Sequence, residues 1–141
     1  MPAAEVAAPT ITSKSLPEKI LGCYYTTWET GTYKITDVPL EFNVIYLFHA
    51  KPDGKPVNGS YNNVGNGGFF FEHYDDVTAE QIQACRQRGQ RVILTVGGAH
   101  AGFAWDNHGR AQNFVKSVQT MYARLGGFDG IGFKNYEATI L

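Results

Sequence analysis

The sequence predicts an α/β fold of about four parallel strands with flanking helices, and three observations carry that prediction. Apolar residues run consecutively, not alternately, through residues 42–48 and 91–96, as strands covered on both faces require. Helix-period segments with recognisable ends separate the later strand-like stretches. Two of those stretches carry small or acidic residues at their ends: Thr95-Val96-Gly97-Gly98, and the run opened by Phe128-Asp129-Gly130-Ile131 that reaches Glu137.

Residues 1–19 are rich in Ala, Pro, Ser and Thr and read as a mobile tail, with the domain expected over residues 20–141. The tail lacks the basic start and apolar core of a secretory signal, so a cytoplasmic or non-classically exported protein is expected. The first strand is Ile20-Leu21-Gly22-Cys23-Tyr24-Tyr25, leading into Thr26-Thr27-Trp28. A crossover follows with only a short helical stretch around residues 33–37, interrupted by Pro39. The second strand is Phe42-Asn43-Val44-Ile45-Tyr46-Leu47-Phe48. Residues 51–76 are dense in Gly and Asn, and such length without periodicity points to a functional loop. Thr78 and Gln81 form a capping-box pattern that opens a helix through Ile82 and Cys85, stopped at Gly89. After the third strand, Phe114, Val118, Met121, Tyr122 and Leu125 mark one face of a second helix, ended by Gly126-Gly127. The fourth strand then begins.

Composition narrows the function. The 141 residues suit one domain, with 43% hydrophobic and 18% charged residues. Net charge is −1 with no basic block, which argues against a nucleic-acid partner. No apolar run approaches the roughly 20 residues a membrane span needs, so no membrane partner is expected. Cys23 and Cys85 are not spaced as a metal pair and read as buried free thiols, with a disulfide as the alternative. The four histidines lack an HExxH spacing, and no phosphate-cradling glycine loop follows a strand. Neither a metal nor a cofactor is expected.

In this order the four strands resemble the amino-terminal half of a family 18 glycoside hydrolase, the chitinase and endo-N-acetylglucosaminidase family. Gly22-Cys23-Tyr24-Tyr25 with Trp28 resembles the first strand of that family, and Asn43-Val44-Ile45-Tyr46-Leu47-Phe48 the second. Thr95-Val96-Gly97-Gly98 is similar to its Ser-x-Gly-Gly signature, and Phe128-Asp129-Gly130-Ile131 to the start of Asp-Gly-x-Asp-x-Asp-x-Glu. The resemblance implies a partial (β/α)8 TIM barrel with chemistry at the carboxyl ends of its strands. It also implies an oligo- or polysaccharide partner containing N-acetylglucosamine, and substrate-assisted retaining hydrolysis of β-1,4-linked polymers.

Carried over residue by residue, Glu137 takes the place of the proton donor and Asn135 that of the residue orienting the acetamido group. Tyr25, Trp28, Gly97, Gly98 and Asp129 become substrate-binding positions. The residues themselves leave other roles open: Tyr25 and Trp28 suit a core as well as a sugar platform, Gly97-Gly98 suits a tight turn, and Asp129 a strand brace. Tyr24 is assigned to the core. The motif also departs from its pattern. Asn135 cannot carry an acid's charge, Gly132 stands in the place of another acid, and Lys134 lies beside the site. Asp129 and Glu137 are eight apart where the family spacing is seven, so a one-residue bulge is needed to restore its geometry. These departures raise a second expectation, a non-catalytic, lectin-like sugar binder, and a third, a truncated inactive product. A half barrel would also leave a free strand edge and an apolar inner face that invite self-association.

Overall fold

A computed structural model describes residues 14–28, 31–53, 66–98 and 105–135. Four strands run parallel: β1 (Gly22–Thr26), β2 (Val44–Pro52), β4 (Arg91–Gly98) and β5 (Gly130–Asn135), in the spatial order β1-β2-β4-β5. A two-residue strand, β3 (Phe69–Phe70), pairs antiparallel with the end of β2. The helices are α1 (Ala79–Gln87) and α2 (His108–Arg124), and the first crossover holds only a 3-10 turn, Ile35–Asp37. The four parallel strands and both helices match expectation. The short β3, inside the segment expected as a loop, carries too few residues to show a period.

Strand register decides which side chains share a face, because successive residues point to opposite sides. Tyr24, Tyr46, Ile93 and Gly130 form one row across the sheet, and Thr26, Phe48, Thr95 and Gly132 the next row on the same face. We call this the inner face. The opposite face carries Ile45, Leu47, Val92, Leu94 and Val96, all fully buried. They pack in one core with Ile82 and Cys85 of α1, Met121 of α2, Leu125 just beyond it, and Ile35 and Val38 of the crossover. Consecutive apolar residues in the strands therefore supply two different surfaces. Only the outer one is closed by helices among the described residues.

Helix ends follow local chemistry. Thr78 Oγ1 accepts from the Gln81 amide at 3.3 Å and Gln81 Oε1 accepts from the Thr78 amide at 3.2 Å, the reciprocal capping box. Asn107 caps α2 by accepting from the Arg110 amide at 2.9 Å.

Long polar side chains fasten the amino ends of the strands. Gln90, 2% exposed, donates to the carbonyls of Pro39 and Phe42 at 3.2 and 3.0 Å, tying the first crossover down. Gln83 donates to the carbonyls of Leu125 and Gly127, joining α1 to the exit of α2. The central lock is Asp129. Its carboxylate accepts from Arg86 Nε at 3.2 Å and Nη2 at 2.9 Å, from the Val92 amide at 2.9 Å and from the Lys14 amide at 2.9 Å. Its own amide donates to the Val92 carbonyl at 2.7 Å.

Asp129 therefore braces the start of β5 and does not belong among the sugar-binding residues. It sits at the amino end of the sheet, away from Gly97-Gly98 at the carboxyl end. The sequence expectation of a substrate contact is corrected on that ground. Residues 14–19, expected within the mobile tail, are tied to the same end: Ser15 O accepts from Arg91 Nε at 2.7 Å and Lys19 O from Asn43 Nδ2 at 2.7 Å.

The Arg86–Asp129 pair is almost wholly buried, with side-chain exposures of 7% and 1%. Burial alone would raise the Asp129 pKa; the Arg86 hydrogen bonds, the two amides and the guanidinium charge outweigh it and hold the carboxyl below its ordinary 3.8. Because the folded value is depressed, the stability is fully present above the ordinary value and is lost as pH falls through the folded one. Asp129→Asn, which removes the carboxylate charge from this buried pair, is expected to cost about 3–5 kcal/mol in denaturant unfolding at neutral pH. The gap between variant and wild type should narrow as pH drops below 3.8.

Candidate functional site

The carboxyl ends of β1, β2 and β5 converge on an open groove of about 210 Å3, lined by Tyr24, Thr26, Trp28, Phe48 and Lys134. Alternation along β1 points Tyr24 and Thr26 to the inner face. Thr27 then turns the chain, its amide and hydroxyl each donating to the Phe48 carbonyl at 3.0 Å. That double hold presents Trp28 at the rim with 52% of its surface exposed. The Trp28 ring stands edge-on to Phe48 and His49, with both centroid separations 5.7 Å. Tyr24 leans on Tyr46 at 5.1 Å and meets Phe48 edge-on at 5.9 Å. The groove thus has an aromatic wall and one ammonium, Lys134 Nζ, 4.9 Å from the centroid of the Tyr24 ring.

Of the two readings left open for Tyr25 the structure takes the core and not the substrate-binding position, and it overturns the core assignment of Tyr24. Tyr25 is 5% exposed, lies in the helix-side core, and donates its hydroxyl to the Tyr33 carbonyl at 2.8 Å. Tyr24, assigned to the core, is 50% exposed in the groove. The two residues are adjacent on a strand, so only one can face inward, and the register of β1 on β2 selects Tyr24.

Gly97 and Gly98 end β4 with φ of +102° and +116°, a left-handed region that side chains disfavour. A Cβ on Gly98 would lie 3.2 Å from His49 Nε2 and 3.3 Å from the Phe48 ring. Gly98 lets β2 and β4 approach beneath the groove. In β2 the pairing with β4 shifts between Phe48 and Ala50, where the Phe48–His49 peptide is cis.

A polar cluster that sequence reading missed borders this end of β2. Lys51 pairs with Glu72 at 2.5 Å, and His73 meets Glu72 at 3.6 Å and Asp76 at 3.1 Å. β3 brings Lys51 to Glu72 across 21 residues of sequence, a separation that gives no signal, while His73 and Asp76 are close neighbours of Glu72 along the chain. The Lys51 hydrogen bond holds the Glu72 carboxyl below its ordinary range, which suits an ion-pair partner and not a general acid. Beside them, burial pushes His49 from 6.5 down to about 4, assisted by the charges of Lys51 and His73 and opposed by Glu72. His49 is neutral at physiological pH.

β5 pairs with β4 without interruption from Ile93↔Gly130 through Gly98↔Asn135. No bulge interrupts the described strand, so Gly130, Gly132 and Lys134 hold the inner face. The backbone of Asn135 closes the strand opposite Gly98. Glu137 lies outside the described residues.

No family model and no curated protein matches the chain. Solved structures do. A family GH18 chitinase from Chromobacterium violaceum superposes with a TM-score of 0.68 at 22% identity, covering 86% of this chain and 32% of that one. A protein described as a chitinase A, from Streptomyces coelicolor, gives 0.64 at 24% identity, over 83% of this chain and 40% of that one. The C-terminal domain of ChiA from Legionella pneumophila gives 0.56 at 19% identity, over 82% and 35%. The fold is a partial TIM barrel. The chain spans 32% to 40% of the length of these solved chains. Within this barrel fragment the aromatic groove occupies the carboxyl end of the strands, the end at which barrels of this type place their binding groups.

Two measurements test the floor of the site. Gly98→Ala is expected to cost about 1–3 kcal/mol of stability through its backbone conformation. A melting temperature equal to wild type would contradict the geometry described. His49 binds its proton less readily folded than unfolded, so its contribution to stability is present above 6.5 and is lost as pH falls through about 4. His49→Gln should flatten the stability profile across that window.

Proposed function

We propose that this chain is a glycoside hydrolase-like domain whose inner face binds oligosaccharides of β-1,4-linked N-acetylglucosamine. The observation that carries the reading is Trp28, half-exposed at the carboxyl end of the sheet and held there by Phe48, His49 and the Thr27 turn. An apolar ring face so held suits the flat face of a pyranose. Thr26 adds a hydroxyl and Lys134 an ammonium to the lining of the groove. Gly98 acts from below by allowing β2 and β4 to close the floor. The chitinase neighbours support the sugar class at the level of fold.

Hydrolysis is a second reading, favoured by the chitinase fold and by Glu137, two residues beyond the end of β5. In it the substrate's acetamido oxygen attacks the anomeric carbon while the Glu137 carboxyl gives its proton to the departing glycosidic oxygen. Asn135 would orient the acetamido group through hydrogen bonds. Water then opens the cyclic intermediate and returns a proton to Glu137. Lys134 on the inner face weighs toward binding without cleavage, because a nearby cation opposes the positive charge of that intermediate. β1 and β5 each pair on one side only among the described residues, and self-association through these edges belongs to the same proposal.

Titration with chitotetraose is expected to give saturable binding, weakened about tenfold by Trp28→Ala, the equivalent of about 1.4 kcal/mol for a lost ring contact. Absence of binding overturns the proposal. A fluorogenic chitobioside assay separates its two readings: cleavage abolished by Glu137→Gln selects hydrolysis, and binding without cleavage selects the lectin-like reading.

A further inference from the structure

The structure assigns Lys134 a specificity role: laid across the groove onto Tyr24, it confines a bound oligosaccharide to a single sugar residue, the one stacked on Trp28. This rests on the sugar-binding reading of the same groove. β1 and β5 are the outermost strands of the described sheet, so the 4.9 Å contact of Lys134 Nζ with the Tyr24 ring crosses the inner face from one side to the other. Lys134 has a further partner within the chain and acts here by its position, not as a charge reserved for a ligand.

Tyr24 is shut to stacking on both faces. Tyr46 lies 5.1 Å from it with the planes tilted by 32°, too close to admit an ammonium between them, so Lys134 covers the other face. Sugar stacking needs a ring face, and Tyr24 has none to give although half of its surface is exposed. Trp28 differs. Its ring meets Phe48 and His49 at 66° and 84°, and among the described residues no ring stacks on it and no cation stands over it. The surface behind the crossing lysine is closed as well. Ile93 and Thr95 hold inner positions of β4, the neighbour of β5, and are 6% and 1% exposed although both helices pack on the opposite face. A sugar chain leaving Trp28 therefore finds no open surface across β4 and runs into solution. The groove volume of about 210 Å3 agrees, since pockets that enclose a whole small ligand hold roughly 300–1,000 Å3.

A length series tests this: N-acetylglucosamine, chitobiose and chitotetraose, each titrated against the Trp28 indole resonance. On the unaltered chain the tetrasaccharide is expected to exceed the monosaccharide by no more than about fourfold, the statistical gain from four equivalent residues. Lys134→Ala uncovers Tyr24 as a second platform, and the same ratio should rise about fivefold further, the worth of one added ring contact. Lys134→Arg, which keeps a cation over the ring, should hold the ratio at its unaltered value. The Lys134 Cε protons give a reading without substitution: the Tyr24 ring should shift them upfield both before and after chitotetraose is added. A length ratio well above the statistical gain on the unaltered chain, or a ratio unchanged by Lys134→Ala, overturns the inference and leaves the proposed function standing. Loss of the Cε shift on binding does the same. Binding of none of the three sugars overturns both.

Discussion

Pairing of β5 on β4, residue for residue from Gly130 to Asn135, governs the chemistry available to the last strand. A slip of one residue would turn every side chain of β5 to the opposite face. Asp129 sets the origin of that pairing. Its amide and carboxylate both engage the backbone of Val92, and the carboxylate is anchored to Arg86 of α1. From that fixed start, alternation delivers Gly132 and Lys134 to the inner face. One buried ion pair at the amino end of the sheet thus bears on which residue faces the groove at the carboxyl end.

The two ends of the sheet differ in their chemistry. Amino-end contacts are satisfied polar side chains: Gln83, Arg86, Gln90 and Asn43 each bind backbone or a charged partner. They fasten this end of the structure, Arg86 and Gln90 buried and Gln83 and Asn43 partly so. Carboxyl-end residues are rings, glycines and a cation. There Thr95, 1% exposed, keeps a hydroxyl with no partner among the described residues, and the His49 Nδ1 is likewise unpaired. Polar groups left unsatisfied have a cost in stability, and folds concentrate such costs where ligands bind. A neutral His49 fits this setting, since it carries no charge into the aromatic wall that holds Trp28.

The elements were legible where the signal is local. Thr78 and Gln81 announce their helix because a capping box lies within four residues, and Gly126-Gly127 ends α2 because both adopt positive φ. The inward face was less legible. Tyr24 and Tyr25 are chemically alike and adjacent, so the choice between them depends on a pairing register that belongs to β2 as much as to β1. Asp129 carries the sequence appearance of a motif acid, yet its surroundings are supplied by Arg86 and Lys14, far away along the chain. Lys51 is joined to Glu72 and its neighbours His73 and Asp76 by β3, a strand of two residues that no periodicity could reveal.

Amide and indole chemical shifts recorded during a chitotetraose titration probe the central claim most directly, because they locate the ligand without any substitution. Binding on the inner face should move Tyr24, Thr26, Trp28, Phe48 and Lys134 together, the Trp28 indole most of all, and leave Arg86, Gln90 and Asp129 in place. Shifts gathered at the amino end of the sheet or along the exposed side of α2, with the Trp28 indole unmoved, would contradict the account.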